Sequence, residues 1–326
     1  MMVDFKKGPS AVGRVSGRVN RTSRWRLYPR ARDAFGAVLD ALAIGCRGGA
    51  VILPAYVGYS SREGSGVYDP IQERSLSARF YPVCDDLTVD VEHLKSVLEE
   101  SPQSSALVLI HYFGRPDPEL AAIIRLARHL GVPVIEDAAH AYFSAEALAS
   151  CGKDGEAVLY SMHKMFDVHE GGVLKLNTEA LAAVIPPGAA GQVCDADWVR
   201  VFEEDVTAHS QARVANYHKL VTRLRALAPA VVPLWPGLPV GTVPQTCPVR
   251  VSNTTLRDQL YFGLKAEGFV VASLYHTLIR ALEPECFTAS HRLSERMLNL
   301  PVAPSMTEAE VDRMVEFMSS LITRST

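Results

Sequence analysis

Lys164 closes the run Ser161-Met162-His163-Lys164, and upstream of it lies Val134-Ile135-Glu136-Asp137-Ala138-Ala139-His140. An apolar run ending in an acid reads as a buried parallel strand that delivers Asp137 at its carboxyl end. A second strand, Ala157-Val158-Leu159-Tyr160, ends in Ser161 and leads to the lysine, and the pair Gly171-Gly172 follows. A lysine amine becomes a nucleophile when its pKa is depressed, as burial or a neighbouring cation can arrange. An acid, a hydroxyl and an amine at strand ends are what pyridoxal phosphate (PLP) needs. Asp137 would pair with the pyridinium, Ser161 would touch the phosphate, and Lys164 would be the Schiff-base amine. Each residue also has a plain structural reading. Asp137 could cap the next helix, Ser161 could close a side-chain turn, and Lys164 could be a surface lysine.

Further segments, taken in order, carry a resemblance. Val51-Ile52-Leu53-Pro54-Ala55-Tyr56, His111-Tyr112-Phe113-Gly114-Arg115-Pro116, Glu136 to His140, Ser161 to Gly172 and the late run Leu293 to Val302 resemble the DegT-type sugar aminotransferases. These are a branch of the fold-type I PLP enzymes, and residues 30–177 carry most of the likeness. The resemblance implies an α/β fold-type I PLP-transferase. Its large domain would hold a mostly parallel sheet with helices on both faces, and a smaller C-terminal α+β domain would follow. It implies that Lys164 is the catalytic residue, that Asp137 binds the ring nitrogen, and that His140 stands near the cofactor's phenolic oxygen. It further implies a PLP-dependent aminotransferase that passes an amino group from an amino acid, glutamate, to a keto-sugar nucleotide. Polysaccharide or secondary-metabolite biosynthesis is the expected setting, and a homodimer the expected assembly.

The chain departs from that family at three places. Ala31-Arg32-Asp33 stands where Ser-Gly-Thr is expected at a helix start, a natural anion site. Arg32 could hold the phosphate bidentately, while Asp33 would repel it unless it turns away as the helix cap. The aromatic that stacks on the cofactor ring falls on Gly58, with Tyr56 and Tyr59 nearby, and Tyr56 is the candidate substitute. The stretch after Asn177 is shorter than in relatives, where a loop completes the partner subunit's site. Arg213, His276 and the basic N-terminus are candidate contacts for an anionic substrate.

Rival chemistries fail on their second halves. Ser161-x-x-Lys164 matches the S-x-x-K of serine β-lactamases, but the Ser-Asp-Asn and Lys-Thr-Gly partners do not occur. His169-Glu170-Gly171-Gly172-Val173 begins like a zinc motif and has Val173 where the second histidine belongs. No metal site is expected. Neither phosphate-binding glycine pattern, G-x-x-x-x-G-K-[ST] or G-x-G-x-x-G, is present. The alternative that remains is a PLP-dependent dehydratase or lyase, or a non-catalytic scaffold of the same fold.

These residues need a sheet to position them, and the pattern supplies one. Ala106 to Ile110 and Val132 to Ile135 are apolar runs separated by a helical pattern, Pro118 to Leu130, as in a doubly covered parallel sheet. Phe35, Val38, Leu39 and Leu42 recur at helical spacing from Ala34 to Ile44, with Asp33 as a candidate N-cap. Residues 60–77 read as a surface loop, Phe80 to Val83 as a short strand, Val91 to Leu98 as a helix, and 178–208 have no clear period. A long helix from Glu203 to Ala226 leads out of the first domain. Strands at Thr246 to Val251 and Val270-Val271 follow, with helices at Leu256 to Glu267 and Glu308 to Ile322. The expected division is a basic arm, 1–29, a PLP-binding domain, 30–215, and a small domain, 216–326.

At 326 residues, 48% hydrophobic and 21% charged, the chain is globular rather than disordered. A net charge of −3 gives no overall attraction to nucleic acid or membrane. The start is different: Lys6, Lys7 and seven arginines up to Arg32 face only Asp4. Such a start can be a transit peptide, an anion-binding arm or simply mobile. The six cysteines include no C-x-x-C pair and read as free thiols, so a cytoplasmic protein is expected.

Overall fold

Strands that are apolar on both faces belong in the middle of a covered sheet, and the four apolar runs go there. The computed structural model describes residues 24–102, 104–166, 168, 171–186 and 206–325, without the side chains of Arg47 and Ser325. Strands β2 (Ala50–Pro54), β4 (Ala106–Ile110), β5 (Val134–Asp137) and β6 (Ala157–Ser161) run parallel. With β1 (Trp25–Tyr28), β3 (Ser77–Tyr81) and β7 (Gly172–Leu176) they form a seven-stranded sheet in the order β1-β7-β6-β5-β4-β2-β3. The strand β3 is parallel to β2, whereas β7 is antiparallel to β6 and β1 antiparallel to β7.

Side chains alternate along a strand, so each strand feeds two cores. Val51, Leu53, Ala106 and Val108 pack with helix α1 (Ala31–Leu42) through its Phe35, Val38 and Leu39. Ile52, Leu107 and Leu109 pack on the other face with α3 (Val91–Glu99) and α4 (Leu120–His129). Helix α4 presents Leu120, Ile123, Ile124 and Ala127, the one-face spacing expected of an amphipathic helix. Three shorter helices border the sheet: α2 (Asp69–Glu73), α5 (Tyr142–Glu146) and α6 (Glu179–Val184).

A second core lies around an antiparallel three-stranded sheet, β10-β9-β8, built from β8 (Val231–Pro233), β9 (Thr246–Val251) and β10 (Met297–Pro301). Helices α7 (Val206–Leu224), α8 (Thr254–Ala266) and α10 (Glu308–Ser325) cover it, and α9 (Thr288–Arg296) leads into β10. Asn253 caps α8 by accepting the Leu256 amide at 2.8 Å, which satisfies one of the free amides of the first turn. Helix α7 serves both cores. Its Tyr217, Leu220 and Leu224 enter the small one, while the Arg213 guanidinium lies over the Phe143 ring at 5.3 Å.

Several sequence expectations need correction. Trp25–Tyr28 falls within the stretch read as a basic arm and is instead the edge strand β1, because its side chains alternate in function. Trp25 stacks on Tyr160 at 5.7 Å, and Arg26 donates to the Ile185 carbonyl at 2.8 Å. The rest of the arm, residues 1–23, lies outside the described residues. The loop read at 60–77 contains α2. The strand read at Phe80 to Val83 is shifted back and ends at Tyr81. Val270-Val271 forms no strand; only a bridge between Ala272 and Asn299 occurs there. Helix α1 begins at Ala31, not Ala34, so its N-cap is Arg30. Asp33 closes a capping box from the third position.

Gly172 fixes how α1 meets the sheet. It pairs with Ser161 on one side and Tyr28 on the other. A Cβ there would overlap the Arg30 carbonyl group and the Ala31 nitrogen, all backbone atoms with no rotamer to yield. Gly172→Ala is therefore expected to destabilise the fold by about 1–3 kcal/mol, the usual cost of overpacking. A denaturant midpoint equal to the parent's would show that the start of α1 shifts freely.

Candidate active site

Neighbouring parallel strands end at the same edge of a sheet, and the loops leaving them must share that edge. The loop after β5 carries Ala138, Ala139 and His140, and the 3-10 turn after β6 is Met162–Lys164. The Lys164 Nζ lies 3.1 Å from His140 Nε2. The Asp137 carboxylate is buried at the strand end, where its Oδ1 accepts the Ala139 amide at 2.9 Å. The three residues singled out from the sequence are thus one cluster.

Electrostatics set each group's state. Burial pulls the Lys164 amine below its ordinary pKa; Asp137 and Glu63 oppose this, and Arg32 adds to it. His140 is held well below the usual imidazole range, first by burial and then by the charges of Lys164 and His163, so its ring is neutral. The Phe113 ring stacks on it at 5.9 Å with an interplanar angle of 13°, and Nδ1 has no partner among the described residues. Burial raises the Asp137 carboxyl, with Lys164 the leading opposing influence. A positive ring nitrogen beside Asp137 would restore its charged form by the same physics.

The expected phosphate contacts, Ser161 and Arg32, are held by separate partners. Ser161 is buried, and its Oγ lies 3.4 Å from His163 Nδ1. Its register opposite Gly172 sets it beside the first turn of α1. Arg32, in that turn, bridges to Asp69 at 3.2 Å and donates to the Glu63 carbonyl at 2.5 Å. The Asp33 carboxylate turns back onto Arg30, accepting its amide at 3.1 Å and its guanidinium at 3.0 Å. It is therefore spent as a cap. A basic side chain, a serine and a helix start suit a phosphate; an acid, a neutral imidazole and a lowered-pKa amine suit the ring and aldehyde of PLP. The residues present fit the cofactor.

A second buried group lies directly behind. Glu136 points to the opposite face from Asp137, as alternation along a strand requires, and its Oε2 is 2.9 Å from His111 Nε2. Glu136 also accepts the Gly152 amide at 2.7 Å and the Gly155 amide at 2.8 Å. Burial alone would lower His111, yet Cys151 and Glu136 outweigh it and hold its pKa well above normal. Burial likewise favours neutral Glu136, but His111 and the two amides leave it below its ordinary value. The ligand atoms of His111, Glu136 and Cys151 lie within 4.8 Å of one another. With both carboxylate oxygens already engaged, this is an ion pair bracing the loops around β5.

Other candidates sit differently. Tyr56 is buried with its ring 5.6 Å from Tyr112 and 5.2 Å from Tyr275, and its hydroxyl has no partner among the described residues. Arg213 is 1% exposed and donates to the Gln245 carbonyl at 3.0 Å, so it does not face a substrate in solution. His276 is exposed, with Nδ1 2.7 Å from the Ser273 carbonyl. Sequence reasoning missed Tyr275 and Glu63, both brought in by loops without periodicity.

Residues 31–187 match the family model described as the DegT/DnrJ/EryC1/StrS aminotransferase family. The chain is similar to the X-ray structure of an aminotransferase from Psychrobacter cryohalolentis, with 18% identity and a TM-score of 0.74 over 94% of this chain and 89% of that one. It is similar to Helicobacter pylori PseC, an aminotransferase involved in the biosynthesis of pseudoaminic acid, with 13% identity and a TM-score of 0.74 over 92% and 87%. NtdA from Bacillus subtilis, solved with bound cofactor PMP, matches at 17% identity and a TM-score of 0.70 over 92% and 73%. At such identities the structural likeness carries the fold alone.

Proposed function

We propose that this chain, which belongs through residues 31–187 to the DegT/DnrJ/EryC1/StrS aminotransferase family, moves an amino group from glutamate to a keto-sugar carried on a nucleotide. The PLP-dependent aminotransferase chemistry comes with the family. The donor, the acceptor and the residue roles are our reading. What supports it most is the Lys164 amine, partly buried, lowered in pKa and 3.1 Å from a neutral histidine.

When bound, PLP supplies an aldehyde that takes up amines and a ring that draws electron density from the carbon beside them. Asp137 would keep the proton on the ring nitrogen. Lys164 would anchor the aldehyde carbon and, with its amine free, would carry a proton to and from the donor's α-carbon. His140, kept neutral, orients the Lys164 amine and would lie toward the ring's phenolic oxygen. Ser161 and Arg32 would hold the phosphate, while Asp33 keeps the first turn of α1 in place. Tyr56 backs the aromatic wall. Two substrates that use one site in turn imply ping-pong kinetics.

A nucleotide-linked sugar is anionic, and a homodimer would let a partner's residues reach it; residues 187–205, part of the stretch after Asn177 that is shorter than in relatives, lie outside the described residues. No helix among the described residues is long and apolar enough to cross a membrane. A panel of keto-sugar nucleotides with glutamate as donor tests the reading. Glutamate-dependent amination with 2-oxoglutarate release is the expected result. Elimination of water or ammonia without amine transfer would move the assignment to a dehydratase or lyase.

A further inference from the structure

We infer that Tyr275, delivered by the small-sheet unit, is the aromatic that covers one face of the cofactor ring. The inference rests on the assignment of Asp137 and Lys164 as the PLP-holding residues. Tyr275 sits in a loop that follows α8, far in sequence from both. That loop docks on the segment after β2 through backbone hydrogen bonds as well as side-chain packing. The Tyr59 amide donates to the Thr277 carbonyl at 2.9 Å, the Ile279 amide to the Val57 carbonyl at 3.0 Å, and Gly58 bridges Leu278.

Two observations single out the residue. Its φ is 60°, a left-handed conformation that a bulky side chain adopts only when its surroundings enforce it. Its ring is enclosed on several sides by aromatics: Tyr56 at 5.2 Å and 30°, Tyr112 at 5.6 Å and 76°, Phe113 at 5.8 Å and 75°, His140 at 6.2 Å and 76°. The phenol stays protonated, because burial and the Asp137 charge both push its pKa up. Tyr275 and Lys164 are both residues of intermediate exposure, and the Tyr275 phenol lies within electrostatic reach of Asp137.

Gly58 explains the arrangement. A Cβ on Gly58 would come within 2.8 Å of Tyr275 Cδ1, so the space beside Gly58 belongs to this ring. An aromatic side chain at position 58 and Tyr275 in its present place exclude each other. The chain thus fills from a distant loop the position that its own β2 loop leaves empty. A pyridinium ring gains from an aromatic face laid against it. Cofactor retention in this chain is then tied to docking of the 273–280 loop.

The experiment titrates PLP into the apo full-length protein and reads dissociation constant, visible circular dichroism and melting temperature. The parent, Tyr275→Ala, Tyr275→Phe and the exchange Gly58→Phe with Tyr275→Ala are compared. Tyr275→Ala is expected to weaken PLP binding about 10- to 100-fold and to diminish the induced dichroism, as loss of a stacked aromatic predicts. Tyr275→Phe should stay within about threefold of the parent, because the stacking face is kept. The exchange should recover much of the affinity lost in Tyr275→Ala, with normal melting. Equal or tighter binding by Tyr275→Ala would overturn the inference, since the ring would then be occupying the site rather than covering it. Tyr275→Phe as weak as Tyr275→Ala would overturn it too, by assigning the role to the hydroxyl. Parent protein that takes up no PLP refutes the underlying assignment, and this inference with it; the difference between parent and Tyr275→Ala reads this inference alone.

Discussion

Lys164→Ala is expected to abolish turnover while leaving the fold intact. The side chain is partly buried and its close polar partner among the described residues is the neutral His140. Buried Asp137, on losing the charge of Lys164, shifts further toward its neutral form rather than remaining an unpaired charge. Loss of a positioned proton carrier alone costs about 10²- to 10⁴-fold in rate, and loss of the covalent anchor for the cofactor adds to that. The complementary measurement is chemical. Borohydride treatment of the PLP-loaded parent should add the cofactor's mass to Lys164 and to no other lysine, and the alanine variant should gain none. Steady amine transfer by Lys164→Ala, or labelling of a different lysine, would sink the assignment.

Glu136→Gln is expected to lower stability by about 3–5 kcal/mol, the typical result of removing one partner from a buried ion pair. The glutamine keeps the volume but turns an amide donor toward His111 or toward the Gly152 and Gly155 amides, which need acceptors. The effect depends on pH in a defined direction. Folded Glu136 has a pKa below its ordinary 4.5, so its stabilisation is present above that value and fades as pH falls through the folded value. Folded His111 has a pKa well above its ordinary 6.5, so its share is complete below 6.5 and fades as pH rises through the folded value. The pair therefore contributes most between about 4.5 and 6.5. Denaturant unfolding of parent and variant across that range should show the gap widest there and narrowing on both sides. A gap below about 1 kcal/mol, flat with pH, would mean that the pair is no more than a surface-type contact.

The central sheet is legible because β2, β4, β5 and β6 are continuous apolar runs, and burial on both faces leaves them no other place. The meeting of Asp137, His140 and Lys164 is legible for the same reason, since adjacent strand ends bring their loops together. Other elements hide for physical causes. The strand β1 carries Arg26, whose charge suggests solvent but whose guanidinium is consumed by the Ile185 and Ala182 carbonyls at the end of α6. Helix α2 is five residues long, too short to show a period. Asp33 follows the local rule for a cap yet works from inside the helix, reaching back to Arg30. Tyr275 is invisible to any local rule, because a left-handed backbone and a docked loop place it.

The edge position of β1 also decides where this protein can be shortened. The composition invites removal of the whole basic stretch up to Arg30. Cutting there would strip β7 of its outer partner, including the bond from the Leu176 amide to the Arg24 carbonyl at 2.8 Å. It would also uncover Tyr160 where Trp25 now lies and leave Lys175 without the indole face 5.7 Å away. A newly exposed, apolar sheet edge is a template for pairing between molecules. A truncation that begins at or before Arg24 keeps that edge closed, and one that begins after Tyr28 converts the same sheet into a sticky one.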